Sequence, residues 1–153
     1  MEIIKATIGH LDAVYRLMCE LECRDLDKYA FLRIYQENIA DANVCYMLAV
    51  DKNNIVGFAS LHMQKLLHYC AKTGEIQEII ISEKYQGLGA EAALFRQMVK
   101  TAAANGCLYL EVCARKVRDE THQFYISQGM EQSHFKFMLD LAPAARGQKG
   151  LGL

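Results

Sequence analysis

The sequence contains no tryptophan, only one proline and no long apolar run. No stretch approaches the roughly 18 consecutive apolar residues of a membrane-spanning helix, so we expect no membrane segment. An excess of charge is also missing: the formal net charge is −1, which gives no indication of a nucleic-acid or polyanionic partner. The first residues lack the basic-then-apolar order of a secretory signal. These absences favour a cytoplasmic protein.

The six cysteines include no C-x-x-C pair and no spacing typical of a zinc finger. Reduced, mostly buried thiols are therefore expected. A length of 153 residues with 52% hydrophobic residues suffices for one buried core. We expect a single domain over 1–141 and a flexible tail over 142–153, which contains the only proline and three glycines.

Hydrophobic periodicity predicts the element order β-α-α-β-β-β-α-β-α-β. Apolar residues recur at helical spacing around 11–21, 32–39 and 92–102, and a further helix is expected over 119–128. We expect strands at Glu2–Thr7, Val44–Val50, Ile55–Met63, Glu75–Ser82, Cys107–Cys113 and Met130–Leu139. This order indicates an α+β fold: a mixed, mostly antiparallel sheet of six to seven strands, flanked on both faces by about four helices.

The segment GEIQEIIISEKYQGLGAEA, residues 74–92, is a strand that passes through glycines into a helix. Such a turn presents free backbone N–H groups at the positive end of the helix dipole, which suits a phosphate. Glycines needed only for a tight turn are the simpler alternative. A Walker motif is excluded because no Gly-Lys-Ser/Thr occurs, and a Rossmann unit does not fit a strand preceded by a hairpin and two helices.

The element order and this turn together resemble the GNAT superfamily of acetyl-CoA-dependent N-acetyltransferases over residues 2–141. The family pattern Arg/Gln-x-x-Gly-x-Gly/Ala is similar to the segment Gln86, Gly87, Leu88, Gly89, Ala90 and Glu91. Glu91 departs from it, and we expect its side chain to face solvent. The resemblance implies that the N–H groups of 87–91 hold the diphosphate of acetyl-CoA. It also implies that the main chain of Ile79, Ile80 and Ile81 pairs with the pantetheine arm.

A second motif resembling the family is HQFYISQGM, residues 122–130. In the family, the tyrosine that corresponds to Tyr125 protonates the departing CoA thiolate. A thiol and a phenol differ by only about 1.5 pKa units, so this transfer is nearly balanced. A core aromatic with a satisfied hydroxyl is the alternative for Tyr125.

Four further segments resemble aminoalkylphosphonate N-acetyltransferases: CEL at 19–21, LHMQ at 61–64 with His68, GEIQE at 74–78 and EQSHFKF at 131–137. The resemblance implies an acceptor that is a small primary amine bearing a phosphonate. It also implies that Asp27 and Tyr46 line the pocket, with Asp27 near the ammonium. A divalent metal, used by close members, is implied too, and it suits Glu78 with a histidine and oxygen ligands; the actual ligands stay open.

An amine must lose a proton before it attacks a thioester, so the site needs a general base. Glu75 and Glu78 are three residues apart and would face opposite sides of an ideal strand, unless a bulge intervenes. We choose Glu78, which is nearest the expected thioester; a structural acid paired to a cation is the alternative. The phosphonate requires cations, for which the candidates are His62, His68, His134, Lys136, Arg24 and Arg115, with His62 and His134 preferred.

We therefore predict direct acetyl transfer from acetyl-CoA to a small-molecule amine, with the backbone N–H of Ile79 stabilising the oxyanion. An aminoglycoside or polyamine acceptor is one alternative. A domain that binds acyl-CoA without turnover, as a sensor, is another. The oligomeric state stays open, with a homodimer among the possibilities.

Overall fold

The structure, a computed structural model, describes residues 1–142. Five strands form one sheet in the order β1-β2-β3-β4-β5. Neighbouring strands are antiparallel except β4 and β5, which are parallel. The mixed, mostly antiparallel sheet expected from the sequence is confirmed, with five strands in the described residues instead of six to seven. The strands are β1 Glu2–Lys5, β2 Val44–Asp51, β3 Asn54–Leu66, β4 Ala71–Ile81 and β5 Cys107–Val112.

Residues 1–142 contain four α-helices, and each falls where periodicity predicts one: α1 Leu11–Glu22, α2 Lys28–Ala40, α3 Ala90–Ala104 and α4 Asp119–Ser127. Local residues explain the boundaries. Helix α1 ends at Cys23, which adopts the left-handed conformation with φ 53°. Helix α2 begins at Asp27, whose Oδ1 accepts the N–H groups of Tyr29 and Ala30 at 3.0 and 3.1 Å.

A two-residue turn joins β2 to β3. Lys52 and Asn53 both have positive φ, at 46° and 68°, and the flanking Asp51 and Asn54 are paired. Positive φ at both central residues is the signature of a type I′ hairpin. The hairpin expected from the sequence is present.

One face of the sheet packs against α1 and α2. Tyr35 of α2 donates its hydroxyl to the carbonyl of Thr7 at 2.8 Å, and its ring centroid lies 5.3 Å from that of Tyr46. Burying such large apolar surfaces is the main source of stability of this layer. Its core is formed by Ala6, Val14, Leu17, Met18, Tyr35, Tyr46, Leu48 and Phe58.

Helix α3 packs on the opposite face. Leu94, Phe95 and Met98 on its inner side are buried. A Cβ atom at Gly74 of β4 would lie only 3.4 Å from the Cβ of Ala102, so a larger residue there would push helix and strand apart.

The chain divides into two compact units, Met1–Val112 and Cys113–Leu153. The first contains the sheet and α1 to α3. In the second, α4 ends at Gly129, which has φ 87°, and the N–H of Met130 donates to the carbonyl of Tyr125 at 3.1 Å. That residues 1–141 form a single domain stays a prediction.

The strand predicted at Met130–Leu139 is wrong. These residues form no strand, although their apolar side chains alternate as the prediction requires. Alternation shows only that a segment can be a strand, and pairing with a neighbouring edge decides whether it becomes one. The predicted tail, 142–153, lies outside the described residues apart from its first residue.

Candidate active site

Two acidic side chains of β4 lie on the same face of the sheet because of a bulge. Glu75 pairs with His62 and Glu78 pairs with Ser60, whereas Gln77 between them has no partner on β3. Opposed residues of an antiparallel pair share a face, as do residues two apart along one strand. Both carboxylates therefore point to the face on which α1 and α2 pack. In an ideal strand the two acids would lie on opposite sides. The extra residue, Gln77, puts them on the same side.

The carboxylate of Glu78 is held by a buried serine. The hydroxyl of Ser60 donates to Oε2 of Glu78, and the N–H of Glu78 donates to Oγ of Ser60 at 3.1 Å. On the same face, Nδ2 of Asn38 donates to the hydroxyl oxygen of Tyr46 at 2.6 Å. Burial raises the pKa of Tyr46, and the negative charge of Glu78 raises it further. At the centre of this face, the hydrogen-bonded carboxylate of Glu78 therefore lies near the protonated phenol of Tyr46.

Past residue 76, β4 has an open edge. Strand β5 pairs with β4 only as far as the pair Ile76 and Val112, but β4 continues to Ile81. On its other side, β4 remains paired with β3 through Ile79, Ile80 and Ile81. No strand in residues 1–142 lies along the open side of 77–81. An extended ligand with amide groups can hydrogen-bond along such an edge in the way that an added strand does.

The turn after β4 has the features of an anion site. Gly87 and Gly89 have φ of 74° and 82°, and a Cβ atom added at either would meet no atom within 4 Å. Helix α3 begins at Ala90, and no side chain caps it. The first-turn N–H groups therefore lie at the positive end of the helix dipole without a side-chain cap. Nε2 of Gln86 is 3.4 Å from the carbonyl oxygen of Ile81, which places this side chain against the end of β4.

Glu91 is less exposed to solvent than the sequence led us to expect. Its side chain is half-buried, and burial raises its pKa above the ordinary value of 4.5. Burial disfavours the ionised form of a carboxyl group. The departure from the family pattern thus places a partly desolvated acid in the first turn of α3.

Beside the bulge lies a cleft of about 280 Å³. It opens where the chain enters β2, and the N–H of Asn43 donates to Oδ1 of Asp41 at 2.8 Å at its rim. The side chains that line it are mainly polar, and no lysine or arginine is among the described residues of the lining. Two carboxylates and one imidazole make it better suited to a cation than to an anion. The polar lining consists of Asp41, Asn43, His62, Gln64, Glu75 and Gln77.

Other residues singled out from the sequence belong to other elements of the chain. Asp27 caps α2 and does not line the cleft. His68 lies in a short 3-10 turn with its ring 4.1 Å from that of Tyr69. His134 is exposed in the second unit, where its Nδ1 lies 2.7 Å from Oγ of Ser133. Of the two preferred histidines, His62 lies on the same face as Glu75 and Glu78, and the role of His134 stays a prediction.

Tyr125 lies in α4, in the second unit. Its side chain is buried, and its ring packs edge-on against that of Phe124 with centroids 5.3 Å apart. The catalytic role of Tyr125 stays a prediction that depends on the motif in which it occurs.

Three residues of this face were not found from the sequence. Ser60 is a lone hydroxyl in an apolar strand, and a buried polar group needs a partner, so it could have been suspected. Asp41 and Asn43 follow the helix predicted around 32–39, and nothing in the pattern near them indicates a cleft. Their role in the cleft depends on where β2 enters the sheet, which local patterns do not reveal.

No group of three or more histidine, cysteine or acidic residues in 1–142 is arranged to hold a metal ion. None of the helices in that part of the chain is both long and apolar enough to cross a membrane.

The glycine turn, the open edge of β4 and the order of strands and helices together define a class of enzyme. The chain belongs to the acetyltransferase (GNAT) family, which it matches over residues 11–130. It is an N-acetyltransferase, as the resemblance implied, and members of the family use acetyl-CoA. Membership favours an enzyme over the sensor alternative.

Among curated proteins, the chain is similar to the aminoalkylphosphonate N-acetyltransferase of Salmonella typhimurium. The two are 37% identical over 136 residues, which span 89% of this chain and 88% of that protein. Among solved structures, a transcriptional regulator from Bacillus halodurans superimposes with a TM-score of 0.85 at 20% identity, covering 92% of this chain and 99% of the other. A Trypanosoma brucei acetyltransferase gives 0.77 at 21%, covering 92% and 99%. At these identities, the structural matches show the fold alone.

Proposed function

We propose that this enzyme transfers the acetyl group of acetyl-CoA directly to the primary amine of a small aminoalkylphosphonate. The support for the acceptor is the 37% identity to the Salmonella enzyme over most of both chains. The support for the reaction is the β4 bulge, which puts Glu78 beside the open strand edge and on the same face as the cleft. The bulge is the observation on which the proposal depends most.

In this proposal, acetyl-CoA binds with its diphosphate at the N–H groups of 87–91 and its pantetheine arm along 79–81. Glu78, oriented by Ser60, takes a proton from the substrate ammonium directly or through water. The amine lone pair then forms the C–N bond, and the N–H of Ile79 stabilises the oxyanion. The C–S bond breaks as the carbonyl re-forms, and Tyr125 gives its phenolic proton to the CoA thiolate. The nitrogen of the new amide releases its remaining extra proton, which returns through water to the phenolate of Tyr125.

The test is thiol release from acetyl-CoA with aminomethyl- and aminoethylphosphonate. Glu78→Gln removes the base, so kcat should fall by about 10²- to 10⁴-fold at pH 7. Tyr125→Phe should lower kcat with little change in the Kd for CoA. Glu37→Gln, an exposed acid of α2, is the control and should keep full activity. Normal turnover by Glu78→Gln would refute the assignment of the base.

A polycationic acceptor, such as a polyamine or an aminoglycoside, is the second candidate. It is favoured by the cleft, whose described lining has Asp41, Glu75 and His62 but no lysine or arginine. The double variant Asp41→Asn, Glu75→Gln separates the two. With a polyamine, its KM should rise, because two attractive charges are lost; with an aminoalkylphosphonate, KM should stay or fall, because repulsion of the phosphonate is relieved.

A divalent ion that binds together with the phosphonate stays a prediction. The same assay with and without EDTA tests it: loss of turnover that added Mg²⁺ or Mn²⁺ restores would support such an ion. Unchanged rates in EDTA would contradict it.

A further inference from the structure

Glu20, in the last turn of α1, forms a hydrogen bond with a residue far along the chain. Its Oε1 accepts the N–H of Glu83 at 2.8 Å, across 63 residues of sequence. Helix α1 itself is not stabilised by this carboxylate, because the C-terminal end of a helix dipole is negative and favours a base. No basic residue occurs in that turn. The contact with Glu83 therefore explains an acid at this position better than the stability of α1 does.

Glu83 is the first residue of a short 3-10 turn, Glu83–Tyr85, that lies between β4 and the glycine turn, residues 86–91. The first N–H groups of a helical turn have no partner within the turn and need an acceptor from elsewhere. Ser82 directly precedes the turn, but its side chain makes no capping hydrogen bond. The carboxylate of Glu20 supplies the acceptor instead, so the cap comes from a distant element of the fold.

From Glu83, further hydrogen bonds lead to the start of the glycine turn. The carbonyl of Glu83 accepts the N–H of Gln86 at 3.3 Å, and Nε2 of Gln86 lies 3.4 Å from the carbonyl oxygen of Ile81. Gln86 is followed by Gly87, which has φ 74°. Glu20 thus holds one end of a hydrogen-bonded segment, and the other end is the turn in which the diphosphate is proposed to bind.

The charge of Glu20 acts against an anionic ligand at this turn, whereas its hydrogen bond acts in favour of one. Like charges repel, although solvent screens the repulsion because Glu20 and Glu83 are both exposed. A fixed backbone conformation lowers the ordering cost of binding. The two effects have opposite signs, so substitutions that remove one or both of them can be told apart.

We propose that Glu20 is a positioning residue for the cosubstrate: by capping the 3-10 turn, it holds 86–91 in the conformation that receives the diphosphate of acetyl-CoA. Glu20 acts through Glu83 and Gln86 and not through contact with the cosubstrate. This inference rests on the proposed function, in which the diphosphate binds at the N–H groups of 87–91.

The first experiment measures the Kd for CoA by calorimetry. Glu20→Ala removes the acceptor, so the Kd should rise roughly three- to tenfold. Glu20→Gln keeps an oxygen acceptor and removes the charge, so its Kd should equal that of the wild-type protein or fall below it. Glu37→Ala, at an exposed acid of α2, is the control and should leave the Kd unchanged. An unchanged or lower Kd in Glu20→Ala, or equal weakening in the alanine and glutamine variants, would overturn the proposal.

The second experiment separates positioning of the diphosphate from a general disturbance of the structure. S-acetylpantetheine carries the same thioester as acetyl-CoA but no diphosphate. With aminoethylphosphonate as acceptor, Glu20→Ala should lower kcat/KM for acetyl-CoA roughly three- to tenfold and leave kcat/KM for S-acetylpantetheine unchanged. A similar loss with both donors would count against a role at the diphosphate. The melting temperature should stay within a few degrees, because Glu20 is exposed.

Gly89→Ala, measured alongside, distinguishes a failure of this inference from a failure of the proposed function. Weaker CoA binding by Gly89→Ala with normal binding by Glu20→Ala would overturn the role of Glu20 alone. Normal binding by both variants would mean that the diphosphate binds elsewhere, and both proposals would fall. Because CoA binds without an acceptor, the identity of the acceptor amine does not affect this comparison.

Discussion

Glu91 is the residue that distinguishes the glycine turn, residues 86–91, from the family pattern, and its partial burial has a measurable consequence. Its pKa is raised in the folded protein, so the folded state holds its proton to higher pH than the unfolded chain does. The stability that this group contributes is greatest below pH 4.5 and falls as pH rises through its folded pKa.

We therefore predict that Glu91→Gln gains stability relative to the wild-type protein as pH rises from about 4 to about 7, as thermal melts at each pH would show. Removing a negative charge from the first turn should also tighten CoA binding roughly two- to five-fold, as calorimetry would measure. Glu120→Gln is the matched control, because Glu120 is an exposed acid in the first turn of α4. Weaker CoA binding by Glu91→Gln would show that this carboxylate serves the cofactor.

At the level of elements, the bulge in β4 is expected to affect activity much more than stability. Gln77 has no partner on β3, so deleting it leaves every other pair of the register in place. A bulge bends its strand and disrupts the ladder locally. The deletion should keep the melting temperature within a few degrees, yet lower CoA affinity and turnover by tenfold or more. Gln77→Ala keeps the extra residue and should stay active; equal activity of the two variants would mean that the bulge is dispensable.

The glycine turn, residues 86–91, permits a second comparison of matched variants. Gly89 and Gly106 have φ of 82° and 80°, and a Cβ atom at either meets nothing within 4 Å. Alanine at each should therefore cost a similar roughly 1–2 kcal/mol in unfolding free energy, from backbone strain alone. Only Gly89→Ala should weaken CoA binding, because its methyl group enters the space in front of the turn. Equal CoA affinity in both variants would place the diphosphate elsewhere.

These elements also show which features of the fold can be predicted from local residue preferences and which cannot. The β2–β3 hairpin and the glycine turn follow from residues that tolerate positive φ, and such preferences are local. The bulge is not local: whether Gln77 is paired depends on the register against β3, which β4 alone does not encode. The segment 130–139 is the converse case. Its residues alternate as in a strand, but the structure has no strand there, because alternation alone does not determine pairing. Ser60 was missed because its partner, Glu78, is on another strand.

For the whole molecule, the aromatic core sets a limit at high pH. Burial raises the pKa of Tyr35 from 10.0 to about 12, and it also raises that of Tyr46. Between pH 10 and about 12 the unfolded chain loses the proton of Tyr35 while the folded protein keeps it, so stability must fall as pH rises, and the raised pKa of Tyr46 acts in the same direction. For each unit by which folding raises a tyrosine pKa, the unfolding free energy falls by at most roughly 1.4 kcal/mol.

Denaturant unfolding between about pH 8 and pH 11 should show this decline. Tyr35→Phe should flatten it, at a cost of about 1 kcal/mol at the lower pH from the lost hydrogen bond to Thr7. An unchanged slope in Tyr35→Phe would contradict the assignment.

The open edge of β4 has an evolutionary consequence. A ligand that lies along 77–81 meets peptide groups, which every amino acid except proline supplies alike. The isoleucines at 79 to 81 pair with β3, and their side chains alternate between the two faces of the sheet, so their identity is governed by packing there. Substitutions such as isoleucine to valine could therefore accumulate in this strand without altering affinity for coenzyme A, while a proline would abolish it. Homologues should differ in these side chains as far as packing on the sheet allows and still share one cosubstrate.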